Sequence, residues 1–301
     1  RDFLTINSGG NKDMKKLCAE EIAAIFDQAK KERFAIPAFN YSDIWDMRGI
    51  VEAAEELRSP VILMCDSPTY KELGGEMCCR MADILIEKAS VPVIHHLDHS
   101  ESYTNCVEAI DFGFTSVMID ASSLPVKENS AVVKKVVDYA HARGVIVEAE
   151  IGRILSESEY EPKYTGEDYL FKLDEALYLV NESGCDTLAI GIGNAHGFYK
   201  GDPVINFKKL EEARSAIDIP LVLHGGTGIP EDIISKCIDG GIRKVNVGTA
   251  VYCAYMNGIR EKLIASGENQ FTYDVMHYAM DKIKNVIRSW IKACRADGKA
   301  N

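Results

Sequence analysis

Short runs of consecutive apolar and often β-branched residues recur along the chain, a pattern that predicts buried β-strands. Eight runs of this kind follow one another: Phe34–Asn40, Val61–Asp66, Val93–His99, Ser116–Asp120, Val145–Ile151, Thr187–Gly193, Leu221–Gly226 and Lys244–Thr249. Successive runs begin about 25 to 40 residues apart, which is enough chain for one strand and one crossover helix. The pattern therefore predicts repeated strand–helix units.

Several segments between these predicted strands have the apolar spacing of an amphipathic helix. Apolar residues recur at spacings of three and four in Asp43–Leu57, Asn129–Arg143 and Leu173–Ser183. Gly144 and Gly184 come directly after the second and third of these segments. Glycine is the expected residue just beyond a helix, because it adopts the left-handed conformation without steric cost. The helices are therefore predicted to end at these points.

Continuously apolar strands that alternate with helices predict a parallel sheet that is covered on both faces or closed on itself. Eight strands close a (β/α)8 TIM barrel, and we expect this α/β fold rather than an open doubly wound sheet. The open sheet is less favoured because no G-x-G-x-x-G follows the first strand. Lys12–Arg33 predicts an extra N-terminal helix, and Tyr273–Ala296 predicts a C-terminal helical extension. No linker-like segment interrupts residues 1–301, so we expect a single domain.

Charge and composition narrow the possible partners and the compartment. The net charge of −12 opposes binding to nucleic acid or to an anionic membrane surface. Apolar runs such as Val61–Cys65 are far shorter than the roughly 20 residues that span a bilayer, and residues 1–11 have no apolar segment typical of a secretion signal. The nine cysteines are scattered without a C-x-x-C pair. This predicts free thiols in a reducing, cytoplasmic setting.

Histidines concentrate at the predicted strand ends, where barrel enzymes place their active sites. Five of the seven histidines lie there: His95, His96, His99, His196 and His224. Three imidazoles from separate strand ends and one open position are typical of a catalytic zinc site, which makes His99, His196 and His224 the candidate ligands. His95 and His96 are expected to pack or to support the site, because strand alternation cannot turn every neighbour inward.

The turns after the last two strands are rich in glycine. The segment HGGTGIP (His224–Pro230) precedes a helix that is predicted to begin near Glu231. Backbone N–H groups exposed by glycine can hold a phosphate without any cation, and this corner is the usual phosphate site of such barrels. The alternative is a tight turn that merely requires glycine. Asn246 and Thr249 on the neighbouring strand favour phosphate binding.

Seven motifs in this order carry a resemblance to a known family. They are PAFN (Pro37–Asn40), HLDHS (His96–Ser100), GFTSVMIDASSLP (Gly113–Pro125), VEAEIGR (Val147–Arg153), GIGNAHGFYKGDP (Gly191–Pro203), PLVLHGGTGIP (Pro220–Pro230) and KVNVGTA (Lys244–Ala250). The chain, from about Phe34 to Ala293, resembles the class II, zinc-dependent ketose-phosphate aldolases, the family of fructose- and tagatose-bisphosphate aldolases. The resemblance implies reversible cleavage of a ketose phosphate to dihydroxyacetone phosphate and an aldehyde.

The resemblance also implies roles for the candidate residues. His99, His196 and His224 would bind zinc, with Glu150 and Asp120 as supporting residues or alternative ligands. The zinc would polarise the ketone and stabilise the enediolate that forms when the C3–C4 bond breaks. Asp98 would take the C4 hydroxyl proton during cleavage and return it during condensation.

The remaining implied roles concern the substrate and the assembly. A sodium or potassium ion is implied near the phosphate, and a homodimer or homotetramer is implied by the same resemblance. Asn40 would contact the substrate from the first strand. The residues that would cradle the phosphate are Gly197, Gly225, Gly226, Thr227, Asn246 and Thr249.

Departures from the family pattern cluster among residues expected near the half of the substrate that becomes the aldehyde. The usual glycine pair is absent after Arg153, and the position of the usual catalytic glutamate falls on Ser158. Glu157 and Glu159 on either side are therefore the candidates for the base that deprotonates dihydroxyacetone phosphate. On the second strand, Met64 and Asp66 take the places of Gln and Ser near the substrate.

The arginine that holds the far phosphate of bisphosphates is also missing. Its position aligns with Tyr273, and no arginine lies between Glu261 and Ile287. Asp66 would repel a second phosphate, so we expect a ketose 1-phosphate, or an unusual sugar phosphate, whose aldehyde product lacks a phosphate at the usual position. Arg153 and Lys163 are the cations that could hold a second phosphate from another direction.

Two other functions fit the same residues. A metal-dependent sugar-phosphate isomerase or epimerase would use the same polarised ketone without breaking a C–C bond. A non-catalytic sugar-phosphate binding protein would keep the site but lack the proton-abstracting glutamate. Release of dihydroxyacetone phosphate separates the first alternative from an aldolase, and exchange of its C3 proton with solvent excludes the second.

Overall fold

The computed structural model describes residues 16–155, 169–199, 201–267 and 270–300. Eight parallel strands pair in chain order, and β1 pairs with β8 to close the barrel. This confirms the predicted (β/α)8 TIM barrel. The strands are β1 (Ile36–Asn40), β2 (Val61–Asp66), β3 (Val93–Ser100), β4 (Ser116–Ile119), β5 (Ile146–Ile151), β6 (Thr187–Ile190), β7 (Leu221–Leu223) and β8 (Ile242–Val247).

Helices surround this barrel and extend it at both ends of the chain. Within the described ranges they are α1 (Ala19–Glu32), α2 (Ile44–Glu56), α3 (Ser67–Leu73), α4 (Gly75–Ile86), α5 (Tyr103–Phe112), α6 (Val126–His141), α7 (Leu173–Ser183), α8 (Phe207–Ala216), α9 (Glu231–Asp239), α10 (Thr249–Ser266) and α11 (Thr272–Ala293). The predicted N-terminal helix and C-terminal extension correspond to α1 and α11.

The backbone at their ends explains why α1 and α11 are shorter than the helices predicted over Lys12–Arg33 and Tyr273–Ala296. The backbone N–H of Cys18 donates to the Glu21 carboxylate at 2.8 Å, so α1 begins at Ala19 rather than near Lys12. At the other end, Arg295 adopts a left-handed conformation with φ of 56°, which stops α11 at Ala293. Both differences are small against the overall agreement in element order.

Polar side chains fill one layer of the barrel interior. His96 on β3, Glu148 on β5 and Lys244 on β8 are buried, and Lys244 contacts both of the others. These strands are not neighbours in the sheet, so their side chains can meet only inside the barrel. His95, one position earlier on β3, points the other way and stacks on Phe114 with 3.8 Å between ring centroids. Strand alternation therefore separates the two histidines as expected.

Among the described residues, no helix combines the length and the apolar character that a membrane crossing requires.

Candidate active site

The end of β3 is shaped to turn His99 into the mouth of the barrel. His99 has a positive φ of 49°, and the β3–β4 register shifts between Leu97 and Ser100. Such irregularities re-aim a side chain at the end of a strand. The Nδ1 atom of His99 lies 2.9 Å from an oxygen of Asp120, which fixes the orientation of the ring. The left-handed backbone is thus part of how this strand presents an imidazole.

The three predicted histidines converge on one point. The Nε2 atom of His99 and the Nδ1 atom of His224 are 2.8 Å apart. The His196 ring centroid lies 4.9 Å from that of His99 and 6.0 Å from that of His224. One ring nitrogen from each of the three lies within 4.8 Å of the other two. The structure therefore brings together side chains that are far apart in sequence.

Carboxylates hold the outward nitrogen of two of these rings. Asp120 contacts His99, and Glu148 lies 2.9 Å from the Nε2 atom of His224. A carboxylate on one imidazole nitrogen fixes the tautomer and leaves the lone pair of the other nitrogen free for a cation. The facing nitrogens of His99 and His224 are the two that remain for this purpose. The arrangement fits a divalent cation.

Glu150 provides a second indication that a cation belongs here. Its Oε2 atom is buried, has no hydrogen-bond partner among the described residues, and lies 3.6 Å from the Nδ1 atom of His224. Burial and the nearby Asp120 raise the pKa of Glu150 to about 8. His99, Asp120 and Glu150 form a second group with the spacing of metal ligands. A bound cation would offset the cost of burying this oxygen without a hydrogen-bond partner.

Asp120 and Glu150 differ in the use of their oxygens. One oxygen of Asp120 contacts His99, and the other accepts hydrogen bonds from the hydroxyl and the backbone N–H of Ser122. Asp120 is thus occupied as the partner of a histidine. Glu150 keeps one oxygen available, so it is the better candidate for an additional ligand.

Asp98 lies beside the histidines with both oxygens held by amides. Asn40 Nδ2 donates to one oxygen at 3.0 Å, and Asn246 Nδ2 donates to the other at 3.2 Å. Burial alone would raise the pKa of Asp98, but the positive charges of His99 and Lys244 outweigh it and lower the pKa to about 2. Asp98 is therefore an ionised, oriented carboxylate that can accept a proton.

A pocket of about 190 Å³ opens in front of these groups. Its wall contains most of the residues that the sequence assigned to substrate and phosphate. The predicted residues that line it are Asn40, Asp66, Asp98, His99, His196, Gly197, Gly225, Thr227, Asn246 and Thr249. Sequence analysis did not single out Gly248 and Tyr252, which complete the wall.

Gly226 is an exception, because it does not line the pocket. Its N–H donates to the carbonyl of Asn246 at 2.9 Å and is thus unavailable to a phosphate. A Cβ atom at Gly226 would lie 2.8 Å from that same carbonyl. The prediction that Gly226 binds phosphate is therefore corrected: this glycine permits close packing of the turn against β8. Gly225, with φ of 65°, lines the pocket and also meets a conformational requirement.

Asp66 forms part of the wall at the end of β2. One of its oxygens accepts a hydrogen bond from the Tyr252 hydroxyl at 2.7 Å, and the other accepts one from the backbone N–H of Thr69 at 2.9 Å. Burial and the Asp66 charge raise the pKa of Tyr252, so this hydroxyl stays protonated and keeps donating. The pair fixes a negative charge at the edge of the pocket.

Four positions singled out from the sequence cannot be placed in the site. They are Glu157, Ser158, Glu159 and Lys163, which fall in residues 156–168, outside the described residues. Tyr273, which takes the place of the missing arginine, lies half exposed on α11, and its ring stacks on Phe271 with 5.3 Å between centroids.

The motifs in the sequence do not reveal the supporting roles of Glu148 and Lys244. Lys244 Nζ lies 2.7 Å from Glu148, which in turn contacts His224. The signal that could have found them is a period of two: Glu148 precedes Glu150 by two residues, and Lys244 precedes Asn246 by two. Residues two apart on a strand share a face, so each pair points into the barrel.

This chain is similar to several known aldolases. The family model for class II fructose-bisphosphate aldolase matches residues 20–299. A fructose-bisphosphate aldolase of Geobacillus stearothermophilus is 39% identical over 283 residues, which cover 92% of this chain and 96% of that protein. The crystal structure of the YdjI aldolase from Escherichia coli K12 superposes with a TM-score of 0.83 at 32% identity, covering 93% of this chain and 98% of that one.

A more distant structure supports the architecture alone. The fructose-bisphosphate aldolase of Campylobacter jejuni superposes with a TM-score of 0.81 at 22% identity, covering 95% of this chain and 97% of that one. The family model and the Geobacillus relative each extend over nearly the whole barrel, including the strand ends that carry the histidines. On these grounds the chain belongs to the class II fructose-bisphosphate aldolase family.

Proposed function

We propose that this chain catalyses the reversible aldol cleavage of a ketose 1-phosphate to dihydroxyacetone phosphate and an aldehyde. The observation that carries the proposal is the convergence of His99, His196 and His224 beside an ionised Asp98, at the mouth of a glycine-lined pocket. Membership of the class II fructose-bisphosphate aldolase family supports the same reaction.

The proposed cofactor is zinc, held by the three histidines. The family is metal-dependent, and imidazole nitrogens in this number suit zinc better than magnesium or calcium, which prefer oxygen ligands. Glu150 is the proposed additional ligand, and Asp120 the partner of His99. When bound, the zinc would act as a Lewis acid on the carbonyl oxygen of the ketose.

Asp98 is the proposed base for the cleavage step. It takes the proton from the C4 hydroxyl, the C3–C4 bond breaks, C4 becomes the carbonyl carbon of the aldehyde, and the bonding electron pair stays on C3. In condensation Asp98 returns the same proton. Asn40 and Asn246 hold its two oxygens in place, so little reorganisation is needed during proton transfer.

A second group must protonate C3 to complete dihydroxyacetone phosphate. We assign this step to Glu157 or Glu159, because they flank Ser158, the position of the usual catalytic glutamate in the family pattern. Their separate substitution by glutamine identifies the residue: loss of exchange between solvent and the C3 proton of dihydroxyacetone phosphate marks the one that carries the proton.

The phosphate on C1 is proposed to bind where Gly197, Gly225 and Thr227 line the pocket, with Asn246 and Thr249 beside them. No lysine or arginine is among the described residues that line it. Backbone N–H groups and hydroxyls must then supply the donors, as they do in other glycine-rich phosphate sites. Local donors are required because the net charge of −12 repels an anion over longer distances.

A monophosphate is the proposed substrate, because Asp66 stands at the pocket edge and Tyr273 replaces the arginine of bisphosphate aldolases. The test compares kcat/KM for dihydroxyacetone phosphate release from ketose 1-phosphates and from fructose and tagatose 1,6-bisphosphate. The proposal expects the best monophosphate to exceed both bisphosphates. A higher kcat/KM with either bisphosphate contradicts it, and release of no dihydroxyacetone phosphate from any of them contradicts the aldolase assignment.

The assembly is proposed from exposed apolar side chains, and the compartment from the cysteines. Exposed apolar side chains on and after α10, among them Ile264 at 79% exposure and Phe271 at 66%, support a homodimer or homotetramer. Sedimentation velocity of the wild type and of Ile264→Glu tests this, with dissociation of the variant expected. All nine cysteines are unpaired, which supports a reducing compartment such as the cytoplasm.

A further inference from the structure

A larger groove adjoins the pocket at the same end of the barrel. It has a volume of about 1000 Å³ and runs between the end of β2 with α3 on one side and α5 on the other. Asp66 and His99 line both the groove and the inner pocket, so the two spaces meet at the proposed cation site. A substrate that places its phosphate end in the inner pocket would leave toward this groove.

We infer that this groove binds the aldehyde half of the substrate and selects a neutral, polyhydroxylated chain longer than glyceraldehyde. The inference rests on the proposed aldol cleavage, because it needs C4 to lie beside Asp98 and the carbons beyond C4 to continue past His99. Asp66 at the junction then faces the part of the chain that becomes the aldehyde.

The volumes of the two spaces support a long aldehyde. The inner pocket of about 190 Å³ suits a fragment of the size of dihydroxyacetone phosphate. The groove is about five times larger and lies at the upper end of the range of roughly 300–1,000 Å³ typical of ligand sites. A glyceraldehyde unit would leave most of this space to water, whereas additional hydroxylated carbons would fill it.

The charged side chains that line the groove disfavour a substrate whose aldehyde half ends in an anionic group. Three carboxylates line the groove, from Asp66, Glu101 and Glu108, against one ammonium group from Lys71. Beyond His99 and the proposed cation site, a phosphate would therefore face three carboxylates and one cation, which disfavours it. Carboxylates and the Asn105 amide are instead good hydrogen-bond partners for sugar hydroxyls, since each hydroxyl can donate to them.

One buried polar atom in the groove wall agrees with a hydroxylated ligand. Tyr70 lines the groove and is only 8% exposed, and its hydroxyl has no hydrogen-bond partner in the part of the chain that the structure describes. An unsatisfied hydroxyl at this depth costs free energy that a ligand or water can recover. A polyol supplies both donors and acceptors for such a group.

The experiment measures dihydroxyacetone phosphate release from pentulose, hexulose and heptulose 1-phosphates by the zinc-loaded enzyme. The wild type should cleave the heptulose phosphate with kcat/KM at least about tenfold above the pentulose phosphate, because each added contact strengthens transition-state binding. Asn105→Trp, which narrows the groove from α5, should lower kcat/KM for the heptulose phosphate about tenfold and leave the pentulose phosphate within roughly twofold.

Thr104→Trp is the matched control, since Thr104 is the exposed neighbour of Asn105 on α5 and does not line the groove. It should leave all three substrates unchanged. If Asn105→Trp fails to fold, Glu108→Trp one turn further along replaces it.

Equal losses at every chain length, no loss with the heptulose phosphate, or a wild-type preference for the pentulose phosphate would each overturn the inference while aldol cleavage stands. Release of no dihydroxyacetone phosphate from any ketose phosphate by the wild type would instead overturn the proposed function on which it rests.

Discussion

Lys244 and Glu148 form an ion pair of 2.7 Å inside the barrel, with side chains only 1% and 2% exposed. The other oxygen of Glu148 accepts a hydrogen bond from the Nε2 atom of His224 at 2.9 Å. Burial alone would raise the pKa of Glu148, but Lys244 and the histidine hydrogen bond hold it well below its ordinary value. The carboxylate therefore stays charged and keeps the His224 proton on Nε2, leaving Nδ1 for a cation.

Replacing Lys244 with methionine should weaken cation binding without removing any ligand. Without the ammonium group, Glu148 becomes an uncompensated buried carboxylate that takes up a proton and orients His224 less firmly. We expect about 10–100-fold weaker zinc binding, measured by competition with a chromogenic chelator at fixed pH.

Two further variants separate orientation from general loss of stability. The double substitution Lys244→Met with Glu148→Gln removes both buried charges, so it should recover thermal stability while zinc binding stays weak. Lys236→Met, at an exposed pair with Asp232, should change neither property. Wild-type zinc affinity in the double variant would show that the charge pair has no part in holding His224.

Asp98→Asn should abolish most of the catalysis and spare the cation. The amide has nearly the shape of the carboxylate but cannot accept the C4 hydroxyl proton. We expect kcat to fall about 10²–10⁴-fold, while zinc content by atomic emission remains that of the wild type. The surface variant Asp138→Asn, which affects only the pair with Lys134, should keep full activity. A loss of less than about threefold in Asp98→Asn would assign proton transfer to another group.

Asp66→Asn should change substrate preference more than overall activity. The single acceptor oxygen of asparagine can still cap α3 at the Thr69 N–H, and its NH2 group can donate to the Tyr252 oxygen. Both contacts therefore survive, the second with its direction reversed, while the negative charge disappears. The ratio of kcat/KM for fructose 1,6-bisphosphate over fructose 1-phosphate should rise about tenfold, since a like charge at this range costs on the order of 1–2 kcal/mol.

Tyr252→Phe is the control for that charge effect. It removes the hydrogen bond of 2.7 Å to Asp66 and keeps the carboxylate, so the same ratio should not rise. An unchanged ratio in Asp66→Asn would mean that the Asp66 carboxylate does not discriminate against a second phosphate.

Acid should loosen the packing of α11 on α2. Lys284 on α11 contacts Glu52 at 3.1 Å and Glu56 at 2.6 Å. Hydrogen bonds from Arg288 and Lys284 lower the pKa of Glu56. Burial alone would raise the pKa of Glu52, but Arg48 and Lys284 outweigh it and the net pKa is lowered. Because the folded pKa values are depressed, this stabilisation is present above the unfolded pKa and is lost as pH falls through the folded values.

The variant Glu52→Gln with Glu56→Gln tests this sign. At neutral pH its free energy of unfolding in urea should be about 1 kcal/mol below that of the wild type, as expected for partly exposed pairs. This difference in unfolding free energy should disappear as the pH falls from roughly 5 to 3. Glu76→Gln, whose pair with Arg80 is highly exposed, should have the unfolding free energy of the wild type at both pH values. A difference that persists in acid would show that the Glu52 and Glu56 pairs are not the groups that titrate.

Local patterns were sufficient to predict the barrel and the cluster of histidines. Parallel strands that are buried on both faces produce continuous apolar runs, and their polar ends, such as His99 and His224, must meet at one rim. The polar layer inside the barrel was harder to predict. Lys244 looks like an exposed cation at a strand start, and only the closed sheet shows that it faces Glu148.

The glycine-rich turn after β7 also shows what sequence patterns cannot predict. HGGTGIP predicts a phosphate-binding turn, but the sequence does not distinguish a free N–H from one already bonded. Gly226 donates to Asn246, whereas Gly225 lines the pocket, and that difference depends on how the turn packs against β8. The groove beside α5 was likewise invisible, since it forms from residues of separate elements.

The most direct measurement is release of dihydroxyacetone phosphate from a ketose 1-phosphate by enzyme whose metal content is determined before chelation, after chelation and after return of zinc. We expect one zinc per chain, loss of activity in parallel with loss of the metal, and recovery when zinc is restored. His196→Ala should neither retain zinc nor regain activity. Undiminished release of dihydroxyacetone phosphate from fully metal-depleted enzyme would contradict this expectation.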